Sequence, residues 1–263
     1  MDQKSPDPAS ADGVDETDRP AQQPGGGGFG ETLRTILYAL LIAVVVRTFL
    51  YEPFNIPSGS MIPTLLEGDY LFVSKLSYGY SRYSFPFSAG PFDGRVMGDQ
   101  PERGDVAVFR KPTDTDIDFI KRIVGLPGDR IQVVRGVLHI NGEPVTRRRV
   151  EDFELSSGRR VPQYVETLPN GVQHRILEER GDNGALDNTP VYTVPAGHYF
   201  AMGDNRDNSR DSRVLGVVGY VPFENLIGRA EILFWSVEED VVLWFPWTWP
   251  SGIRFGRLFD AVE

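Results

Sequence analysis

The chain has 263 residues, 40% of them apolar and 11% aromatic, enough to bury one good core or a core with a sizeable insertion. Its formal net charge of −10 argues against a nucleic-acid binder, which presents a basic surface. The absence of cysteine excludes thiol catalysis, disulfides and Cys-based zinc sites; His139, His174 and His198 lack the His-x-x-x-His spacing of a zinc protease, though a Ser-His-Asp triad stays formally open.

Residues 1–30 read as a disordered acidic tail. They are rich in Asp, Pro, Gln and Gly and end in Gly25-Gly26-Gly27-Gly28, so they carry too little apolar surface to offset the entropy of ordering. The segment Leu33–Tyr51 follows, apolar from Ile36 to Leu50 except for Arg47 and Thr48. That run is short of the roughly 20 residues that cross a bilayer, but Arg34 and Arg47 can snorkel toward headgroups and lengthen it. A buried core helix is awkward with Arg47 inside it. A cleaved leader fits poorly with an acidic tail before it and with no Ala-x-Ala-like site in Tyr51-Glu-Pro-Phe-Asn-Ile-Pro57. The reading preferred is a single transmembrane anchor over 33–51. The tail through Arg19 carries six acidic and two basic residues, so charge says little about orientation.

From Pro53 onward prolines, glycines and short β-rich runs dominate. Tyr70–Ser74, Val106–Phe109, Phe119–Val124 and Arg130–Val134 read as strands. Val137–Ile140 followed by Asn141-Gly142 reads as a hairpin, because Asn-Gly suits a type I′ turn. No strong amphipathic helix follows the anchor, so the protein is expected to be mainly antiparallel β. Residues 146–190 look polar and irregular, an insertion rather than a core. The run Val241–Trp249 has three tryptophans and no charge and is too short to span; an interfacial belt and simple core packing are both open.

Three segments concentrate chemistry. In Ile56-Pro-Ser-Gly-Ser60-Met-Ile-Pro-Thr-Leu65, prolines and a glycine set a tight path with serines along it, and Gly59 permits close approach of another backbone. Taken alone, the segment reads more readily as an ordinary loop leaving a membrane helix. Ser60 lies at most about 20 Å along the chain from Phe54, so a nucleophile there acts near the membrane surface. In Asp118–Asp129, strand alternation puts Phe119, Lys121 and Ile123 on one face and Ile120, Arg122 and Val124 on the other. Lys121 between apolar neighbours suits a lysine base, whose pKa must fall from about 10.4 toward about 8 at a cost of roughly 3 kcal/mol. A lysine reaching solvent from an edge strand is the plain alternative. Ala201–Gly216 is dense in Asp, Asn, Arg and Gly, as in a polar network built on turns. It is no EF-hand: counted from Asp207, the sixth and twelfth positions are Ser212 and Val218.

Together with Gly68–Lys75 and Arg103–Phe109, these segments resemble, in order, the bacterial type I signal peptidases (leader peptidases), from about residue 35 to the end. The resemblance implies a mainly β fold, an N-terminal transmembrane helix followed by a two-domain antiparallel β-sheet catalytic region. The catalytic core would be 52–130 and 198–263, with a variable cap at 131–197. Ser60 would be the nucleophile and Lys121 the general base of a Ser-Lys dyad. The Ser58 hydroxyl and the Ser60 N–H would form the oxyanion hole. Ser209 would hydrogen-bond the lysine, and Asp211 with Arg213 would form a supporting ion pair. Ile56, Pro57, Met61, Leu65 and Ile120 match positions lining the pocket for a small side chain, and Phe119 stands where some members have tyrosine.

On that resemblance the protein is a hydrolase, a membrane-bound serine endopeptidase of protein secretion that removes signal peptides from preproteins. It would need no metal or cofactor. Its partners would be signal-peptide-bearing preproteins, membrane lipid and the secretion machinery, with no nucleic acid. It would be single-pass in the inner (cytoplasmic) membrane with the catalytic domain on the outer, periplasmic side. Three alternatives compete. A Ser-Lys self-cleaving repressor would carry a DNA-binding helix-turn-helix instead of an acidic tail and apolar segment. A non-enzymatic binding protein on the same scaffold would have lost Ser60 or Lys121. A β-lactamase-like enzyme would have a lysine three residues after the serine, where Pro63 stands.

Overall fold

A computed structural model describes residues 29–85, 88, 90–91, 93–238 and 252–262. The tail up to residue 28 and the tryptophan-rich run Val241–Trp249 lie outside the described residues. The chain divides into two units, residues 1–42 and 43–263.

Helix α1 spans Phe29–Phe49. Its 21 residues reach roughly 32 Å at 1.5 Å per residue, enough for a hydrocarbon core of about 30 Å. The helix is apolar on all sides, with mean hydropathy 1.8 over its best window, and its side chains are exposed from Phe29 to Arg47. A helix with no polar face satisfies its own backbone but has nothing in water to gain, which is the pattern of a lipid-facing span. Its bounds differ from the expected 33–51. It begins four residues earlier, and Tyr51 already opens a strand, where Pro53 cannot continue the helix.

The second unit is built from eighteen strands in the described residues: β1 (Tyr51–Asn55), β2 (Asp69–Ser74), β3 (Tyr80–Ser81), β4 (Arg95–Val96), β5 (Val106–Lys111), β6 (Asp114–Gly125), β7 (Arg130–Val134), β8 (Val137–Ile140), β9 (Glu143–Pro144), β10 (Thr146–Arg149), β11 (Phe153–Glu154), β12 (Arg160–Val161), β13 (Gln163–Thr167), β14 (Gln173–Leu177), β15 (Tyr192–Thr193), β16 (His198–Met202), β17 (Val221–Pro222) and β18 (Leu226–Ser236). The main sheet runs β1-β2-β18-β5-β6-β16-β17, and its pairs are antiparallel. Each expected strand is present. Val106–Phe109 is buried on both faces, which is why it reads as a continuous apolar run rather than an alternation.

Two turns close the β7-β8-β9 meander. Asn141 and Gly142 take φ of 57° and 91°, the type I′ geometry that Asn-Gly foretells, while Arg135 and Gly136 make the preceding turn at 48° and 73°. Residues 178–190 run in turns and bends, as expected, but the stretch 146–177 is not irregular. It forms the sheet β10-β13-β14 and the hairpin β11-β12. The buried face of β14 carries His174 beside Ile176, so a polar residue in an inward position hides the strand period.

The core has three clusters. Ile56, Met61, Leu65, Leu71, Val73 and Val108 pack behind the first serine-bearing segment. Tyr78, Phe109, Ile123, Tyr199 and Val221 form the second, and Val124, Ile131, Leu138 and Phe200 the third. Each fully buried large side chain contributes about 1.5–3 kcal/mol. Strand β6 bridges all three: Ile120 joins the first, Ile123 the second and Val124 the third. A strand gripped this way holds the residue at its centre, Lys121, in a rigid frame.

Candidate active site

Ser60 sits in a single 3-10 turn, Gly59–Met61, that follows β1. Two contacts from Asn205 hold this turn: its N–H donates to the Ser60 carbonyl at 3.1 Å, and its Nδ2 to the Gly59 carbonyl at 3.2 Å. Lys121 lies where β6 passes from exposed to buried, and only 3% of it is exposed. Its Nζ donates to the Ser60 Oγ at 2.7 Å and to the Ile120 carbonyl at 2.7 Å, and sits 5.3 Å from the centre of the Phe119 ring. Burial pushes the Lys121 ammonium down to about 8, against the upward pull of Asp211 and then Asp204. The Ser58 hydroxyl lies 3.4 Å from the Ser60 Oγ.

The neighbouring cation turns away. Arg122 forks onto Asp204 with Nε at 2.9 Å and a terminal nitrogen at 2.8 Å, and also donates to the Gly104 carbonyl at 2.7 Å. Thr64 donates to the same Asp204 carboxylate at 2.6 Å, which ties the nucleophile segment to the network. Burial raises the Asp204 carboxyl, but Arg122 beside it outweighs that and holds it below the usual carboxylate range. Asp211 and Arg213 form a fully buried bidentate pair with both contacts at 2.9 Å. Burial likewise pushes Asp211 up and Arg213 pulls it further down.

Ser209 is placed differently from expectation. It is buried near the dyad, but it does not hydrogen-bond Lys121; its hydroxyl faces the Asp211 carboxylate and helps hold that group down. It packs instead on Gly203, where an added Cβ would stand 2.2 Å from its Oγ and 2.5 Å from the Ser60 carbonyl oxygen. The lysine takes the Ile120 carbonyl in its place.

A cleft of about 490 Å3 opens over the dyad, lined by Ile56, Pro57, Ser58, Ser60, Phe119, Ile120 and Lys121 together with Phe54, Asn55, Val108, Asp118, Asn208 and Arg210. Met61 and Leu65 do not line it. Both have no exposed surface and form the floor of packed side chains beneath the turn. The family resemblance puts them on the pocket wall, whereas the turn points them into the core.

Two residues of β13 and β14 belong to the site's support and carry no signal in the sequence. Glu166 pairs with Arg206, in the turn that follows Asn205, through one contact at 3.1 Å and a second shorter one. His174 lies 3.3 Å from Glu166. Burial would raise the Glu166 carboxyl, but Arg206 and His174 hold it well below the usual range. Carboxylate oxygens of Glu178, Asp187 and Asp207 cluster within 4.8 Å of one another. Burial pushes Glu178 up to about 8, with Arg206 opposing and Asp187 and Asp207 assisting, so it holds a proton at neutral pH.

A family model described as signal peptidase, peptidase S26, matches residues 29–235. A signal peptidase I of Rickettsia typhi is 40% identical over 243 residues, covering 84% of this chain and 89% of its own. One of Rickettsia akari is 42% identical over 240 residues, with coverages of 84% and 89%. A solved signal peptidase I from Enterococcus faecalis is 25% identical, aligning with 50% of this chain and 97% of its own at a TM-score of 0.30.

Proposed function

The chain belongs to the signal peptidase (peptidase S26) family, and from that membership we propose that it removes signal peptides from secreted preproteins through a Ser60–Lys121 dyad. The observation that carries the dyad is the 2.7 Å hydrogen bond between a nearly enclosed lysine and the serine hydroxyl. An amine pushed down to about 8 is neutral in a large fraction of molecules near that pH. Neutral Nζ takes the proton of the Ser60 hydroxyl as Oγ attacks the scissile carbonyl. The oxyanion is held by the Ser58 hydroxyl and the Ser60 N–H, donors of a kind worth about 3–4 kcal/mol. The lysine passes its proton to the nitrogen of the breaking C–N bond, and the mature chain leaves as an amine. It then accepts a proton from water, which attacks the ester carbonyl and restores the serine.

The cleft beside β1 and β6 suits an extended peptide. Ile56, Pro57, Phe119 and Ile120 would meet the small first and third residues before the cleavage point. Asp211, paired with Arg213, acts on the lysine through its charge, Ser209 packs on Gly203 behind the nucleophile turn, and residues 131–197 act as the cap. Helix α1 is the single-pass anchor. Strand β1 follows it in the chain and leads to the nucleophile turn, and a secreted substrate requires the dyad on the outer, periplasmic side of the cytoplasmic membrane. Lipid and the machinery that delivers preproteins are the partners there.

The test is cleavage of a secretory precursor by the purified full chain in detergent, compared with Ser60→Ala and Lys121→Ala. Cleavage at the signal junction by the wild type alone supports the reading. Equal cleavage by all three, or none by folded wild type across several precursors, rejects it.

A further inference from the structure

The nucleophile turn has two open sides. Ser58 and Ser60 face the cleft already described, whereas Gly59 and Ile62 face a second, larger groove of about 880 Å3. The far wall of that groove is the β11–β12 hairpin. Asn208 lines both spaces, so they meet at the turn. A peptide bonded on both sides of the carbonyl under attack has to pass the nucleophile. If its acyl side lies in the cleft, its amine side continues across the turn.

Resting on the peptidase reading above, we propose that this groove receives the mature side of the preprotein, the residues after the scissile bond, and that its carboxylates favour a cationic side chain there. The charged lining is Glu67, Glu154, Glu179 and Glu238 against Arg159 and Arg254. Both arginines are committed. Arg159 pairs with Glu179, and Arg254 donates to the Glu67 carbonyl at 2.9 Å and lies 3.7 Å from Asp69. Glu154 and Glu238 are exposed, and the ion pair of Glu154 with Arg160 is a stretched 3.5 Å between two largely solvated side chains. Cleavage also turns the first mature residue into an amine that takes up a proton, so the same negative field faces the leaving product. Among the described residues, another way out from the cleft is a pocket of about 240 Å3 lined by Arg180, Arg206 and Arg210 with Asp207. It is smaller, and its exposed cations, Arg180 and Arg210, would select the opposite charge, Arg206 being committed to Glu166.

The sign of a charge preference therefore tells the two exits apart. Two preproteins identical up to the cleavage point would carry Lys or Asp at two of the early mature positions, and their kcat/KM would be compared with the full chain in detergent. The groove predicts that the Lys-bearing substrate is cut about threefold to tenfold better, as expected for pairs of exposed charges. The ratio falls toward one in Glu154→Gln/Glu238→Gln and at high salt. Being a ratio, it is unaffected by a loss of folded enzyme. A ratio near one in wild type, a preference for the Asp-bearing substrate, or a preference that survives the double substitution overturns the proposal while leaving the peptidase reading intact. No cleavage of either preprotein overturns both.

Discussion

Replacing Lys121 by Met is expected to abolish cleavage and at the same time make the fold more resistant to denaturation. The buried amine has its pKa pushed down from 10.5 to about 8, so folding must overcome its preference for charge. Each unit of displacement is 1.36 kcal/mol, and the displacement amounts to roughly 3 kcal/mol of strain carried by the folded state. The penalty is complete below pH 8, where the folded lysine is charged. It fades as pH rises toward 10.5, where the unfolded lysine also becomes neutral. Methionine fills the same space without charge, but leaves the Ser60 Oγ without its 2.7 Å donor, which costs about 1–3 kcal/mol. The net gain at pH 7 is therefore about 0–2 kcal/mol. The cleaner quantity is the difference between the two proteins followed with pH by urea denaturation, because every other titrating group cancels in it. Wild type should gain on the variant by roughly 3 kcal/mol between pH 8 and 10.5. A flat difference over that range would mean that Lys121 is not desolvated in the folded protein, and the argument for a neutral lysine at working pH would fail with it.

Activity should rise with pH, with the limb of kcat/KM centred near 8; a maximum well below pH 6 would contradict the lysine's role as base. Asp211→Asn removes a carboxylate that favours the charged lysine, so the limb should move to lower pH. The same change leaves Arg213 buried without its partner, at about 3–5 kcal/mol in a denaturation curve. An unmoved limb in the folded variant would show that Asp211 does not act on the lysine. Gly203→Ala pushes a methyl to 2.5 Å from the Ser60 carbonyl oxygen, and kcat is expected to drop at least about tenfold with a stability loss of about 1–3 kcal/mol. Wild-type kinetics from this variant would mean the turn has slack. For Glu178 the folded pKa near 8 lies above the ordinary 4.5, so wild-type stability includes a component that declines as pH climbs from 4.5 to 8. Glu178→Gln should remove that decline in thermal melts taken across the range, and persistence of the decline would place its origin elsewhere.

Much of the fold was legible because its strands are apolar and its turns are punctuated. Tyr70–Ser74 and Val106–Phe109 announce themselves by β-branched and aromatic residues, and Asn141-Gly142 by the one turn chemistry that tolerates both positive angles. The Arg135-Gly136 turn has the same geometry without the asparagine that signals it. The strands of 146–177 were hidden because Thr146-Arg-Arg-Arg149 is charged on both faces and β14 buries a histidine. At the site, the order of motifs pointed to Ser60 and Lys121, since local spacing survives in the fold. Motifs do not carry side-chain direction: Ser209 lies beside Gly203 rather than on the lysine, and Met61 and Leu65 point into the core. Glu166 and Arg206 meet across 40 residues of chain, and no local pattern links them.

Among the strands of the described residues β18 is the last in sequence, yet in the main sheet it lies between β2 and β5. A ribosome releases the chain from its N-terminal end, so Ser60 and Lys121 are both made well before the strand that joins their halves of the sheet. Thr64 likewise waits for Asp204, 140 residues later. Pairings so distant in sequence form late and slowly. The hydroxyl and the amine therefore exist for a time without the scaffold that brings them to bonding distance.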